Sequence, residues 1–486
     1  MHPEFRYHPK RARELAALAW PAALSYILNN TYRINDQFWI KGLGDTAQAA
    51  VGATFFVQVL NFALIFLAVG GTLALVARAT GAQDPDRRNS VIRNALLMSL
   101  LIGGALSALV IIFAPQITDV IGLDGQTAID GQDYLGMLYR YMVPMAVFPV
   151  MDAIFIGLGK TRITMVLQGG AVALNYFLNP LLIYGSKAGE LNDAWGSGAI
   201  GSLAASLGID GFGIAGAAMA TGIARTIIVS IGIYLLWGMM DAPLWLRGSW
   251  RKCRTQMGAI MRISGPSAAS IAFYALAYLA LIRLVLTSLG DAALAGLGIG
   301  FQVFEGLSFP CYLGLAVAGS SLVGREIGAR NEAGVIEVVG SARALGRILG
   351  IIFALLFWFV GPHLVQFFTT DPEVARETIN YVRILAFSQY WVAVEAVNEK
   401  TLLGSGQTRP IMWISMLGNL LRLPLGWICA SGTLGIMPSA MAGAAGVWWS
   451  INLTTMLKAY LFWGRVQSGN WLRNALSEEM QRDVEV

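Results

Sequence analysis

The chain has 486 residues, of which 56% are hydrophobic and only 13% are charged, with a net charge of +5. Soluble globular proteins carry about 25% charged residues, so this composition excludes a water-soluble enzyme, a disordered chain and a coiled coil. A membrane-spanning helix needs about 20 apolar residues, and at roughly 40 residues per helix and loop the length corresponds to about twelve spans. We therefore expect an all-α polytopic membrane protein.

Twelve apolar stretches follow one another along the chain, and we number them as spans 1 to 12. Each is long enough to cross a bilayer, and several are long enough to tilt within it. Their approximate limits are 14–40, 51–77, 93–115, 134–158, 163–184, 211–240, 264–289, 292–324, 341–368, 379–403, 408–431 and 441–464.

The basic residues predict the orientation of these spans. With the N-terminus inside, 24 of the 34 Lys and Arg fall in cytoplasmic segments, whereas the outside loops hold four. An excess of Lys and Arg marks the cytoplasmic side, so we expect a multi-pass protein of the cell inner membrane with both termini in the cytoplasm. The predicted organisation is a basic N-terminus at 1–13, a first six-helix half at 14–240, a cytoplasmic linker at 241–262, a second half at 263–464 and a cytoplasmic tail at 465–486.

The two halves share a sequence repeat with an offset of about 246 residues. Residues 42–50 (GLGDTAQAA) resemble 288–296 (SLGDAALAG), and Pro21 corresponds to Pro266. The turn at 79–84 corresponds to 326–331, and the turn at 157–162 corresponds to 404–409. Because six helices separate the copies, both halves begin on the same side of the membrane. A pseudo-twofold axis along the membrane normal should relate them, with the substrate site near their interface.

Cofactor and metal chemistry is not expected. The three cysteines and three histidines are scattered, and no pair has the spacing of metal ligands. The excess of cations is accounted for by membrane orientation, so no nucleic-acid partner is expected.

Span 1 carries the first candidate site residues. Asn29, Arg33 and Asp36 are spaced i, i+4, i+7, which places them on one helix face. A carboxylate within the membrane is costly and should face the bundle interior, where it can bind a proton or Na⁺. A structural Asp36–Arg33 ion pair, or an aspartate at the outer interface, is the alternative. Pro21 removes a backbone hydrogen bond and is a candidate hinge; the alternative is a static kink.

Span 5 offers two amide side chains, Asn175 and Asn179, again on one face. They could coordinate a cation through their amide oxygens or orient Asp36 by hydrogen bonds. Structural hydrogen bonds between helices, worth about 0.6 kcal/mol on average, are the alternative.

The second half contributes candidates for the substrate cavity. Glu305 in span 8 and Glu395 in span 10 are carboxylates within the membrane, and Arg283 and Arg422 are cations that could neutralise them. Tyr274 in span 7 could line a cavity for flat organic cations. With Asn29 and Arg33 these residues form the predicted cavity. Nearer the cytoplasm, a Glu399–Lys400 pair is interpreted as structural.

The ordered motifs resemble the multidrug and toxic compound extrusion (MATE) family of the MOP flippase superfamily over essentially the whole chain. They are Pro21, Asp36 with KGLG at 41–44, GAQD at 81–84, GLGKTR at 157–162, LNPLLIYG at 178–185 and GIAGAAMAT at 213–221. The resemblance implies a twelve-helix antiporter that expels cationic or amphipathic organic compounds against inward H⁺ or Na⁺. It also implies that Asp36 is the ion-coupling aspartate and that Asn175 and Asn179 are polar positions of the first-half cavity.

The second half departs from one branch of that family. The branch carries an acidic residue eight positions after the span 7 proline and an aspartate twelve positions before the second glycine turn. Those positions are Tyr274 and Val392 here, so the second-half cation site of that branch is expected to be missing.

The predicted function is therefore secondary antiport by alternating access between the two halves. The expected partners are a small-molecule substrate and membrane lipid, the expected state is a monomer, and no cofactor is expected beyond the transported ion. A flippase or exporter of a lipid-linked or anionic substrate is the alternative kept open by Arg33, Arg283 and Arg422. An integral-membrane transferase would need a clustered catalytic set that the sequence does not show, and a receptor or scaffold is disfavoured by the repeat and the charges within spans.

Overall fold

A computed structural model describes residues 4–190, 197–240, 250–432 and 443–482, which are helical or connecting segments without a β-strand. The first nine residues of the predicted linker, 241–249, lie outside the described residues, as do the chain ends at 1–3 and 483–486.

The described residues of the first half form eight α-helices, the last of which ends at Gly238, shortly before the predicted linker begins at 241. They are α1 (Pro9–Ile40), α2 (Asp45–Gly81), α3 (Pro85–Ile121), α4 (Gly125–Arg140), α5 (Met142–Gly157), α6 (Thr161–Ile183), α7 (Ser197–Leu207) and α8 (Gly213–Gly238).

The described residues between 250 and 482 form nine α-helices and two π-helical segments. The π segment Gly300–Glu305 joins α10 to α11 and ends on Glu305, while Leu356–Val360 joins α12 to α13. The helices are α9 (Trp250–Leu284), α10 (Asp291–Ile299), α11 (Gly306–Gly328), α12 (Glu332–Leu355), α13 (Gly361–Val365), α14 (Pro372–Gly404), α15 (Arg409–Ser431), α16 (Ala444–Gln467) and α17 (Asn470–Arg482).

Within the described residues, helices form most of each of the twelve predicted spans. Eight helical segments of the described chain are long and apolar enough to cross a membrane, and α4 with α5, bent by 57° between them, forms a ninth. The other three are α1, α14 and α16, which are 32, 33 and 24 residues long and carry six, seven and two charged residues. α7 lies between spans 5 and 6, and α17 follows span 12.

The sequence repeat is visible in the turns that end α2 and α11. Gln83 and Arg330 both adopt a left-handed backbone with φ of 55°. The next residues cap the following helices in the same way: Asp84 accepts from the backbone N–H of Arg87 at 2.9 Å, and Asn331 accepts from that of Gly334 at 3.0 Å. These pairs are 247 residues apart, so the two halves repeat in three dimensions.

Close contacts between helices join the halves. α1 packs on α6 of its own half and on α11 of the other, and α2 packs on α9 and α11. At one crossing, a Cβ added to Gly314 would lie 2.4 Å from the backbone nitrogen of Ala23. Only glycine permits this approach, which is how small residues favour helix packing in membranes. α1 therefore lies between the two halves, with Asp36 near its end.

Candidate functional site

The Asp36 carboxylate is held by three neutral donors from two other helices. Asn175 and Asn179 of α6 donate their amide N–H groups to Oδ1 at 3.0 and 2.8 Å. The Thr221 hydroxyl of α8 donates to Oδ2 at 3.1 Å. Both asparagines are fully buried. The structure therefore brings together the three residues that the sequence singles out for ion coupling.

A second set of hydrogen bonds fixes the orientation of Asn175. The Asn35 amide donates to Asn175 Oδ1 at 2.7 Å, and the Trp39 indole N–H donates to Asn35 Oδ1 at 3.0 Å. The amide oxygen of Asn175 therefore has a hydrogen-bond donor. The amide oxygen of Asn179, in contrast, is buried without a hydrogen-bond partner among the described residues. An unpaired amide oxygen beside a carboxylate is an available ligand for a cation or acceptor for a proton donor.

Thr221 is a member of this site that sequence reasoning missed. It closes the run GIAGAAMAT, whose small residues indicate close helix packing. The packing is present, because a Cβ at Gly222 would clash with the ring of Tyr141. The signal that could identify Thr221 is its position one turn before Arg225, the one charged residue of α8.

Arg225 organises a neighbouring polar cluster that was also not predicted. Its guanidinium donates to Gln168 Oε1 and to Asn29 Oδ1, both at 2.9 Å. The guanidinium carbon also lies 4.7 Å from the ring centre of Tyr32 and 4.2 Å from that of Phe148, a geometry for cation–π attraction. Asn29 thus belongs to the Arg225 cluster. Arg33, another residue predicted to line the cavity, is exposed on α1. The hydrogen bonds to Asp36 come from the neutral side chains of Asn175, Asn179 and Thr221.

The second half holds a buried ion pair between the predicted Glu395 and a lysine that was not among the cations predicted to neutralise it. Lys458 of α16 lies 2.7 Å from Glu395 of α14, and both side chains are less than 15% exposed. Arg283 lies exposed in the last turn of α9, and within the described part of the chain no hydrogen bond or ion pair joins it to this cluster. Lys458, rather than Arg283 or Arg422, is therefore the cation in direct contact with Glu395.

Arg422 and Glu305 lie next to this pair among tyrosine side chains. The Arg422 guanidinium donates to Thr454 Oγ1 at 3.1 Å and lies 5.1 Å from the ring centre of Tyr278. The Tyr274 ring is 4.7 Å from that of Tyr278. The Tyr381 hydroxyl donates to Glu305 Oε1 at 2.7 Å. Four of the predicted cavity residues, Glu305, Glu395, Tyr274 and Arg422, therefore line one region of the second half.

The two halves of the chain match the same protein-family model. This model, described as MatE, matches residues 21–181 and again 266–428, one block in each half. The chain belongs to the MATE family.

Relatives of this MATE protein cover nearly its full length. The probable multidrug resistance protein NorM of Thermotoga maritima is 24% identical over 470 residues, 96% of this chain and 95% of that protein. The multidrug export protein MepA of Staphylococcus haemolyticus is 22% identical and covers 96% and 95%. A solved MOP superfamily transporter from Pyrococcus furiosus, described as having a binding pocket of reverse polarity, superposes with a TM-score of 0.81 at 21% identity, covering 95% and 96%.

Family membership confirms three expectations. The MATE protein is a multi-pass membrane transporter and not an enzyme. Its fold is that of the solved MATE structures, with twelve helices in two halves. MATE transporters bind small-molecule substrates. The residue roles and the domain limits stay predictions.

The structure also shows where the candidate hinge Pro21 and the predicted Glu399–Lys400 pair lie. Pro21 is buried within α1, which continues as one helix from residue 9 to residue 40. Glu399 pairs with Lys400 at 2.6 Å near the end of α14, as the structural interpretation expects. Within the ranges that the structure describes, no three His, Cys, Asp or Glu side chains come together as metal ligands.

Proposed function

We propose that this MATE protein is a secondary antiporter that exports organic compounds in exchange for inward H⁺ or Na⁺. The observation that carries the proposal is the setting of Asp36. Its carboxylate lies inside the helical bundle and accepts from two amides and a hydroxyl, and these three donors are neutral. A membrane carboxylate in such a setting can exchange its counter-ion during transport.

Binding of the coupling ion changes the charge of this site by one unit. An Asp36 carboxylate that has bound no ion favours the conformation in which water reaches it, because burying the charged form costs more than burying the ion-bound form. Protonation or Na⁺ binding removes that cost. The unpaired Asn179 Oδ1 supports this step, since it can accept from a protonated Asp36 or contribute an oxygen ligand to Na⁺. The ion thereby shifts the populations of the two access states.

Substrate binding is proposed for the second-half cluster. Tyr274, Tyr278 and Phe301 follow one another with ring centres 4.7 and 6.0 Å apart, and the planes of both ring pairs are tilted by 47°. Aromatic faces next to the Glu305 carboxylate suit a flat organic cation or amphipathic compound. The NorM and MepA relatives are named for multidrug resistance and multidrug export, which supports the same substrate class.

Export of a lipid-linked or anionic compound is the second candidate. Arg422 is 2% exposed, and its Nη1 is buried without a hydrogen-bond partner among the described residues. Together with Lys458 it balances the two carboxylates of the second-half cluster, so the cluster is not acidic overall. An anionic group of a substrate would satisfy this guanidinium.

Orientation and assembly are part of the proposal. The distribution of basic residues supports a cell inner-membrane protein with both termini in the cytoplasm. A single chain contains both clusters, which supports a monomer as the transporting unit.

Transport by the purified protein in liposomes tests the proposal. A pH or Na⁺ gradient is imposed, and uptake of organic cations is compared with uptake of organic anions of similar size. We expect one of the two ion gradients to drive cation movement against its concentration gradient, and dissipating that gradient with an ionophore should abolish it. Gradient-driven movement of the anions alone would favour the second candidate, and no gradient-driven movement of any compound would contradict antiport.

A further inference from the structure

The two halves contact each other most closely at the face that the basic residues predict to be cytoplasmic. This face carries the turns at 82–84, 158–160, 329–331 and 405–408. Every residue of α2 from 70 to 79 and of α11 from 314 to 324 is buried, whereas the opposite ends of both helices include exposed residues. The path between the halves is therefore closed at this face.

One arginine from the first half crosses into the second half here. Arg78 lies in the last turn of α2 and is 1% exposed. Its Nη2 donates a hydrogen bond to the backbone carbonyl of Ser405, in the turn that follows α14. A buried guanidinium thus holds a turn of the opposite half.

One arginine from the second half makes the reciprocal contact. Arg325 lies in the last turn of α11, and its Nη2 donates to the backbone carbonyl of Leu158 at 2.6 Å. Leu158 belongs to the turn that follows α5 in the first half. The glycine beside each carbonyl leaves room for the guanidinium, since a Cβ at Gly159 would lie 2.5 Å from Arg325 and one at Gly406 would lie 2.9 Å from Arg78.

These two contacts are related by the internal repeat. Arg78 and Arg325 are 247 residues apart, and so are Leu158 and Ser405. Beside them, a Cβ at Gly81 would lie 1.9 Å from the Arg325 carbonyl oxygen, and the equivalent Gly328 would meet that of Arg78 at 2.0 Å. The helix ends therefore cross in contact, and each arginine is positioned by the same local structure.

We propose that Arg78 and Arg325 are positioning residues of the transport cycle. As an arginine clasp, defined by these two side chains and the carbonyls of Leu158 and Ser405, they hold the path closed at this face. Both contacts must break for the face to open. The inference rests on the proposed function, because alternating access requires the face to open and close.

Carboxylates close to each arginine allow the clasp to open. Glu478 and Glu479 of α17 lie 3.9 and 4.0 Å from Arg78. Glu326 follows Arg325 on α11 and is itself paired with Arg11 at 2.8 Å. When the opposite turn moves away, the guanidinium groups keep these carboxylates nearby, so opening does not leave a buried charge without a counter-ion.

Distances between two spin labels test the clasp. The labels are attached to cysteines at Arg162 and Arg409, which are exposed, 247 residues apart and in opposite halves, after the three native cysteines are replaced. In the otherwise unchanged protein we expect a short main distance. In R78Q/R325Q we expect a longer-distance population, with the open-to-closed ratio raised about tenfold or more, since hydrogen bonds to charged groups are lost. R254Q, at an exposed arginine of α9, is the matched control and should leave the distances unchanged.

An unchanged distance distribution in R78Q/R325Q would overturn the clasp. If that variant does not fold, R78K/R325K keeps both charges but lacks the planar fork of donors. It should shift the distances in the same direction by less, and no shift would again overturn the inference. The measurement uses neither substrate nor ion gradient. Failure of the clasp is therefore distinguishable from failure of antiport, which appears only in transport.

Discussion

Thr221 is the member of the Asp36 site whose contribution can be isolated best. Thr221→Val keeps the side-chain shape but removes the hydroxyl that donates to Asp36 Oδ2 at 3.1 Å. Hydrogen bonds to charged groups contribute about 1.5–3 kcal/mol, so we expect the half-saturating concentration of the coupling ion to change by about tenfold or more. The ion dependence of substrate exchange in liposomes measures this.

Thr226→Val is the matched control for that variant. Thr226 lies on the same helix, and its hydroxyl donates to the carbonyl of Gly222 within the helix. The ion dependence of the control should equal that of the unchanged protein. An equal ion dependence for Thr221→Val would show that its hydroxyl does not act on the coupling site.

The Glu395–Lys458 pair leads to a prediction about stability. Lys458→Met leaves the buried Glu395 carboxylate without the ammonium 2.7 Å away. Removing one partner of a buried ion pair costs about 3–5 kcal/mol, whereas replacing both with uncharged groups is often neutral. Thermal unfolding in detergent should therefore show a lower Tm for Lys458→Met, with recovery in the double variant Glu395→Gln/Lys458→Met. Equal Tm values for the single and double variants would contradict the pairing.

The sequence indicates some residues of the Asp36 site and of the second-half cluster, but not all of them. Asp36, Asn175 and Asn179 stand out because polar side chains are rare within apolar helices and their spacing defines a face. Thr221 does not stand out, because its contact with Asp36 depends on how α8 packs. Lys458 is 63 residues from Glu395, and no local spacing can indicate such a pair.

At the element scale, the twelve spans follow directly from apolar length, while their irregularities do not. The 57° bend between α4 and α5 and the two π segments lie inside apolar runs. Apolar length specifies a span but not the hydrogen-bond register within it. The π segment ending at Glu305 shows the consequence, because it positions a candidate site residue where the pattern predicts a regular helix.

The proposed hinge at Pro21 is tested by restoring a backbone donor. Pro21→Ala supplies the N–H that proline lacks and permits the i→i−4 hydrogen bond within α1. If bending at this position is part of transport, substrate exchange should slow severalfold, because the hinge motion limits the rate, while the Tm is kept or raised. Pro266→Ala, at the corresponding position of α9, is the comparison. An unchanged exchange rate in Pro21→Ala would favour a static kink.

At the scale of the whole molecule, the internal repeat predicts two equivalent halves, and the equivalent caps, left-handed turns and arginine contacts match it. Which face of the molecule is closed is a different property. It depends on the relative positions of the halves, and both access states contain the same helices with the same apolar pattern. The contacts of Arg78 and Arg325 therefore become recognisable only in three dimensions.

In the proposed transport cycle, the Asp36 carboxylate couples ion movement to substrate export. The most direct measurement compares gradient-driven substrate accumulation in liposomes for the unchanged protein, Asp36→Asn and the control Asp133→Asn, whose residue is exposed on α4. Incorporation and substrate binding are checked for each. We expect Asp36→Asn to be incorporated normally and to lose gradient-driven accumulation, while Asp133→Asn keeps it. Full gradient-driven accumulation by Asp36→Asn would show that Asp36 does not couple ion movement to export.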